Sequence, residues 1–218
     1  ATSYGPSVDL FLLDGRSHRG PNGPGRETEA GPGSRYFGSE QLDWLERNLT
    51  TSRSRWKIIV VPQPLGLVVT DVRFGVPGVD GIANGAGAPS GRELEIVRLL
   101  SFLRERELRN VVFLSGDVHY AAALRYEPAR AAWKGFLPFW EFVAGPLHAG
   151  TFGPAELDPT FGPEVLFQKV PPRPNLPPSE GYQFFGAVRV DGRTEVLTVT
   201  LHDRGGAELY RVMVPPEG

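Results

Sequence analysis

Apolar positions along the chain fall into two kinds of run. Residues 8–13, 56–61 and 111–115 are short, nearly continuous apolar stretches. Each is closed by turn formers: "DGRSHRGPNGPG" after the first, Pro62 and Pro64 after the second, Gly116 after the third. That pattern predicts strands buried on both faces. Between them the period lengthens. Ser39 can cap a helix with Glu40 and Asp43 in its first turn, and Leu42, Leu45 and Leu49 then share one face. Ser90 and Glu93 read as an S-x-x-E capping box opening a helix over 91–107. Its inner face is supplied by Leu94, Val97, Leu100 and Leu103 or Phe102. Strand, helix, strand, helix, strand is the order of an α/β fold with a largely parallel sheet.

The carboxyl end follows a different rhythm. A further apolar run, "FWEFVAGP", reads as a strand, and residues 145–182 read as a long Gly/Pro loop. Then "QFFGAVRV", "RTEVLTVTLHD" and "AELYRVMV" alternate with period two, joined by "DG" and "RGG". This predicts a three-stranded antiparallel meander. Residues 20–38 and 65–89 show no period and read as loops. No internal repeat or linker divides the chain, so residues 1–218 are expected to form a single domain.

Composition narrows the function classes. The chain has 218 residues, 40% hydrophobic and 22% charged, with a net charge of −2. That balance offers no electrostatic footprint for nucleic acid or an anionic membrane surface. There is no cysteine, so disulfides, thiol nucleophiles and cysteine-ligated zinc are excluded within this sequence. The 27 glycines and 21 prolines imply long ordered loops rather than a helical bundle. No apolar run reaches the roughly 18 residues of a membrane span, and no signal-peptide pattern is visible.

Candidate chemistry sits where strands end. In "NVVFLSGDVHYAAAL", Asp117 and His119 lie two residues apart just past strand 111–115, where alternation would point both to one side. Ligands of open α/β sheets bind at the carboxyl ends of strands. A carboxylate and an imidazole there can supply part of a metal shell, or form a hydrogen-bonded structural pair. Spacing leaves both readings open. Gln63, between two prolines, can contact a metal or substrate oxygen, or cap loop backbone. Asp14 reads as a turn residue. Arg16 can bind phosphate or be a solvated loop charge. Tyr120 can line a site or pack. His148, in "GPLHAG", closes a fourth strand end, while His18 and His202 read as surface residues. No nucleophile elbow, P-loop or dinucleotide fingerprint is present.

Taken in order, "VDLFLLDGRSHRG", "FGSEQLDWLERNL", "WKIIVVPQPL", "GRELEIVRLLSFLRERELRNVVFLSGDVHYAAAL", "FWEFVAGPLHAGTFGP" and "FFGAVRV" resemble the PhoD-type alkaline phosphatase/phosphodiesterase family of the calcineurin-like metallophosphoesterase superfamily. The resemblance implies a four-layer α/β/β/α sandwich and metal-dependent hydrolysis of phosphate monoesters or diesters. It makes Asp117 and His119 metal ligands; Gln63, Arg16, Tyr120 and His148 remain candidates for substrate or supporting contacts from their positions alone. It implies two or more metal ions, calcium with iron in characterised members and manganese or zinc elsewhere in the superfamily. It also implies a secreted or periplasmic setting.

The superfamily's earlier ligand motifs are not in this sequence. The chain is therefore expected to correspond to the carboxyl half of the catalytic domain, ending in the meander. Its partners are then a phosphate-ester substrate and an N-terminal half or second chain that completes the site. A chain cut from such a half would expose an apolar sheet edge and associate. The alternative is a non-catalytic half-domain or binding module.

Overall fold

The structure is a computed structural model that describes residues 1–71 and 78–218. Part of the expected 65–89 loop, residues 72–77, lies outside the described residues. In chain order the elements are β1 (Thr2–Tyr4), β2 (Val8–Leu12), α1 (Ser39–Thr51), β3 (Trp56–Val60), β4 (Leu67–Val68), β5 (Thr70–Asp71), β6 (Gly78–Val79) and α2 (Glu93–Glu105). They continue with β7 (Val111–Ser115), β8 (Ala121–Tyr126), β9 (Phe139–Val143), β10 (Glu156–Leu157), β11 (Pro163–Lys169), a 3₁₀ turn at Pro178–Glu180, β12 (Phe184–Val190), β13 (Leu197–Asp203) and β14 (Glu208–Val214).

Seven strands form one mixed sheet in the order β1-β2-β3-β7-β9-β8-β11. The expected parallel core is present: β2, β3, β7 and β9 run parallel. The edge strands β1 and β11, and β8, are antiparallel to their neighbours. The meander stands apart as a second sheet, β12-β13-β14.

Alternation along the central strands builds two cores. Ile59, Val61, Phe113 and Val143 face α1 and α2. Trp56, Ile58, Val112 and Phe142 face the meander, where Phe184, Leu197, Val199 and Leu201 meet them. The described residues thus stack as helices, large sheet and small sheet. Leu42, Leu45 and Leu49 of α1 are all buried in the first core. Each such burial contributes roughly 1.5–3 kcal/mol, far more than helix propensity does.

Both helix starts differ from the expected caps. Ser39 is already helical, Gly38 is the N-cap, and no side chain of α1 caps its own first turn. Glu95 of α2 instead holds the chain leading into the helix, accepting the N–H groups of Tyr36, Phe37 and Gly38. A charged acceptor on three free donors also ties the two helices together. Helix α2 starts at Glu93 rather than 91, and only half of the capping box forms. The Ser90 N–H donates to Glu93 Oε2 at 3.2 Å, but the Ser90 hydroxyl turns to the Gly25 carbonyl. The helix ends in a Schellman motif, with Leu108 N–H on Leu103 O and Glu107 N–H on Arg104 O.

Two expectations of irregular structure are corrected. The 145–182 stretch contains β10 and the seven-residue β11. The 65–89 stretch contains β4, β5 and β6. Strand β8 is built on three alanines, poor strand formers that carry little periodic signal. It is a strand because β9 and β11 bracket it. In the meander the "DG" turn widens into an Asp191–Val196 loop, where Asp191 Oδ1 accepts from Arg193 and Thr194.

Candidate functional site

The turn after β7 carries the two residues that spacing singled out. The ladder stops at Ser115, so strand alternation does not align Asp117 with His119. A tight turn does, closed by Val118 N–H on Gly116 O at 2.8 Å. Asp117 (φ 67°) and His119 (φ 59°) both adopt the left-handed backbone conformation. For non-glycine residues that costs about 1–3 kcal/mol each. Val118 between them is buried and anchors the turn. The result is that Asp117 and His119 line the same open cleft, of about 400 Å³.

The imidazole is oriented by the opposite wall. His119 Nδ1 hydrogen-bonds the Gly150 carbonyl, and its ring lies 5.0 Å from that of Phe152. A carbonyl accepts, so Nδ1 carries the proton, and in the neutral imidazole Nε2 then keeps its lone pair. Tyr120 is a buried wall of the cleft rather than a reagent. Its hydroxyl accepts the Ala155 N–H at 3.3 Å, and burial raises its pKa. Its ring lies so close to Gly153 that a Cβ there would sit 2.6 Å from Cδ1.

Gln63 reaches Asp117 from the end of β3. It is buried, and Nε2 donates to Asp117 Oδ2 and to Asp80 Oδ2, both at 3.1 Å. Its Oε1 accepts the Tyr36 hydroxyl at 2.5 Å. Asp80, which also lines the cleft, accepts Asn22 Nδ2 at 2.8 Å and pairs with Arg19 at 3.1 Å. Asn22 donates to Asp71 as well. Arg92 is buried and donates to the carbonyls of Val79, Asp80, Gly81, Gly20 and Pro21 and to Asn22 Oδ1. Arg19 and Arg92 both lie 5.5 Å from the Tyr36 ring centroid.

The two cleft carboxylates differ electrostatically. Desolvation raises the pKa of Asp117, with the Gln63 hydrogen bond opposing it. Asp80 is also desolvated, but Asn22, Arg19 and Gln63 together outweigh that and lower its pKa. Arg19 balances the Asp80 charge. The Asp117 Oδ1 atom has no protein donor among the described residues.

Two sequence candidates stand apart. Arg16 and His148 are exposed and outside the cleft lining, and their side chains make no hydrogen bond or ion pair among the described residues. The arginine that "LLDGRSHRG" contributes is Arg19. Asp14 has the expected turn role: Oδ1 accepts the N–H groups of Arg16 and Ser17, and its pKa is held down to about 2, chiefly by Ser17. Tyr36, Asp80, Asn22 and Arg92 were not legible as site residues. Their only signal is polar type in Gly/Pro-rich loops. Among the described residues no group of three or more His, Asp or Glu is placed to hold a metal ion.

Chemically, the cleft offers one imidazole nitrogen and one carboxylate oxygen, two hard-to-intermediate donors on a strained turn. It also offers an arginine one shell behind and an apolar wall at Val68, Val69 and Phe152.

Comparisons with known proteins give the family and the fold. Alkaline phosphatase D of Bacillus subtilis (strain 168) is 27% identical over 159 residues, covering 69% of this chain and 26% of the relative. A solved structure titled "Structure of PhoD" superposes with a TM-score of 0.51 at 16% identity, covering 98% of this chain and 44% of that one. The chain thus spans about a quarter of the curated relative and under half of the solved structure. A profile described as PhoD-like phosphatase matches residues 1–201, and the chain belongs to that family.

Proposed function

We propose that this chain is part of a metal-dependent phosphoric ester hydrolase, acting on phosphate monoesters, diesters or both. The observation that carries the reading is the state of the two donors on the β7 turn. His119 is fixed through Nδ1 on a backbone carbonyl, which is how ligating histidines are commonly oriented. Asp117 is held through one oxygen and keeps the other unengaged. Both fit a metal ion; calcium with iron matches the family resemblance, and manganese or zinc suits the same donors. Such ions supply Lewis acidity and a water acidified enough to attack phosphorus.

This chain's own residues do the rest. Asp117 and His119 present the ligand atoms, Gln63 fixes the carboxylate, and Tyr120 with Phe152 shapes the wall. Arg19 keeps Asp80 neutralised at the edge of the cleft.

Two donors do not fill the four to eight positions such ions take. We therefore propose that further ligands come from a partner segment, the remainder of a PhoD-like catalytic domain on a longer polypeptide or a second chain. Two observations support this. The relatives extend far beyond the aligned region. Leu12, Phe185, Val188 and Met213 are exposed, the last at 63%. The completed domain would be the four-layer sandwich of which this chain is the carboxyl half. The same family supports a secreted or periplasmic enzyme; no described helix is long and apolar enough to cross a membrane.

The test is metal content by elemental analysis, together with hydrolysis of p-nitrophenyl phosphate and its bis-ester by the complete protein. Bound metal and hydrolysis lost in Asp117→Asn are expected. A metal-free protein without hydrolysis, or a fully active Asp117→Asn, overturns the reading.

A further inference from the structure

Gln63 has no polar atom to spare. Its two amide hydrogens meet two carboxylate oxygens, and its carbonyl oxygen meets a phenol hydroxyl. The reversed amide would set Oε1 against both carboxylates, so chemistry fixes the orientation. Gln63 is therefore committed to the protein and is not itself a ligand.

What lies behind it is equally committed. Asp80 gives Oδ2 to Gln63 and Oδ1 to Asn22 and Arg19. Its backbone carbonyl takes Arg92 at 2.7 Å. The Asp80 carboxylate cannot turn without breaking its bonds to Gln63, Asn22 and Arg19 together. By contrast, Asp117 is held by the single bond from Gln63, and χ2 of an aspartate is otherwise broad.

We propose that Arg19, Asp80 and Gln63 form a positioning relay that sets the direction of the Asp117 carboxylate and leaves Oδ1 open to the cleft. Arg19 fixes and neutralises Asp80. Asp80 and the Tyr36 hydroxyl fix the Gln63 amide. Gln63 then donates to one Asp117 oxygen only. In the relay each acts on the Asp117 carboxylate through the next. The relay rests on the reading that Asp117 ligates a metal ion.

The experiment is calorimetric titration of the metal-stripped complete protein with manganese or calcium ions. Gln63→Met keeps length and bulk without the donor. Partners at this remove from a metal are typically worth 10–100-fold in affinity, and Gln63→Met is expected to lose that much. Asp80→Asn is expected to lose less. The double variant is expected to bind no worse than Gln63→Met alone, because residues acting in series are not additive. A merely structural role would lower unfolding stability in urea without a separate loss of metal affinity in the folded protein. If Gln63→Met does not fold, Tyr36→Phe takes its place in the cycle with Asp80→Asn, with a smaller loss and the same non-additivity expected. Wild-type affinity in the single variant, or additive losses in the double, overturns the relay while leaving the metal site standing. No metal binding by the wild type overturns the metal reading itself, and the relay with it.

Discussion

Glu141 lies in the middle of β9 with no exposed surface, and its replacement by glutamine gives a quantitative test of the fold beneath the site. Tyr126 donates to Oε2 at 2.5 Å, Ser115 to Oε1 at 2.7 Å, and the Leu65 N–H to Oε1 at 3.1 Å. Three donors favour the ionised form, but desolvation is the larger effect and pushes the carboxyl up to about 7. An unfolded glutamate titrates near 4.5. The native state therefore holds this proton more tightly than the unfolded chain does.

The stability that Glu141 contributes is fully present below pH 4.5 and is lost as pH rises through about 7. A difference of about 2.5 pKa units at about 1.36 kcal/mol each amounts to about 3 kcal/mol. Glutamine keeps the shape and an acceptor for Leu65, and the Tyr126 and Ser115 hydroxyls can rotate to accept from its amide. Urea unfolding of wild type and Glu141→Gln across about pH 4 to 8 isolates this contribution, because every other titrating group cancels in the difference. Wild-type stability is expected to fall by about 3 kcal/mol more than that of the variant. Parallel curves would refute the reasoning. A wild type that gains stability on the variant as pH rises would mean that the three donors, not desolvation, set the charge state.

Further outcomes follow from packing and capping. Leu45→Ala, on the buried face of α1, is expected to cost about 2–5 kcal/mol in urea unfolding; a loss below 1 kcal/mol would mean that this face is not packed as described. Glu95→Ala strips the acceptor from Tyr36, Phe37 and Gly38 and is expected to cost about 1–3 kcal/mol. Glu95→Gln, which keeps an oxygen, should recover part of that in the same melt. On its own the chain is expected to associate through the exposed apolar margin of β12, and Val188→Lys is expected to reduce this in sedimentation velocity. A monodisperse lone chain at high concentration counts against the half-domain reading.

The parts of this molecule that could be read from sequence are those where one local pattern decides the outcome. The parallel core follows from continuous apolar runs, and α1 from Leu42, Leu45 and Leu49 on one face. The meander follows from period-two alternation. Strand β8 was not legible because its alanines are defined by the strands on either side, and β11 was hidden behind flanking glycine and proline.

At the site, "GDVH" pointed to Asp117 and His119, although a left-handed turn rather than strand alternation brings them to one cleft. Gln63 was found because it sits at a strand end. Asp80 and Arg19 were not, since their role depends on two loops meeting at Arg92, which no local spacing records. Arg16 and Arg19 make the same point: two arginines three residues apart in one loop differ only in where the loop later folds, and it is Arg19 that the structure seats beside Asp80.

The most direct test of the central claim is an anomalous diffraction measurement on crystals of the complete protein loaded with manganese. The account predicts a peak within about 2.0–2.6 Å of both Asp117 Oδ1 and His119 Nε2, the range of metal–oxygen and metal–nitrogen bonds, with Gln63 still bonded to Asp117 Oδ2. A fully occupied metal elsewhere, with Asp117 and His119 out of coordination distance, would contradict it.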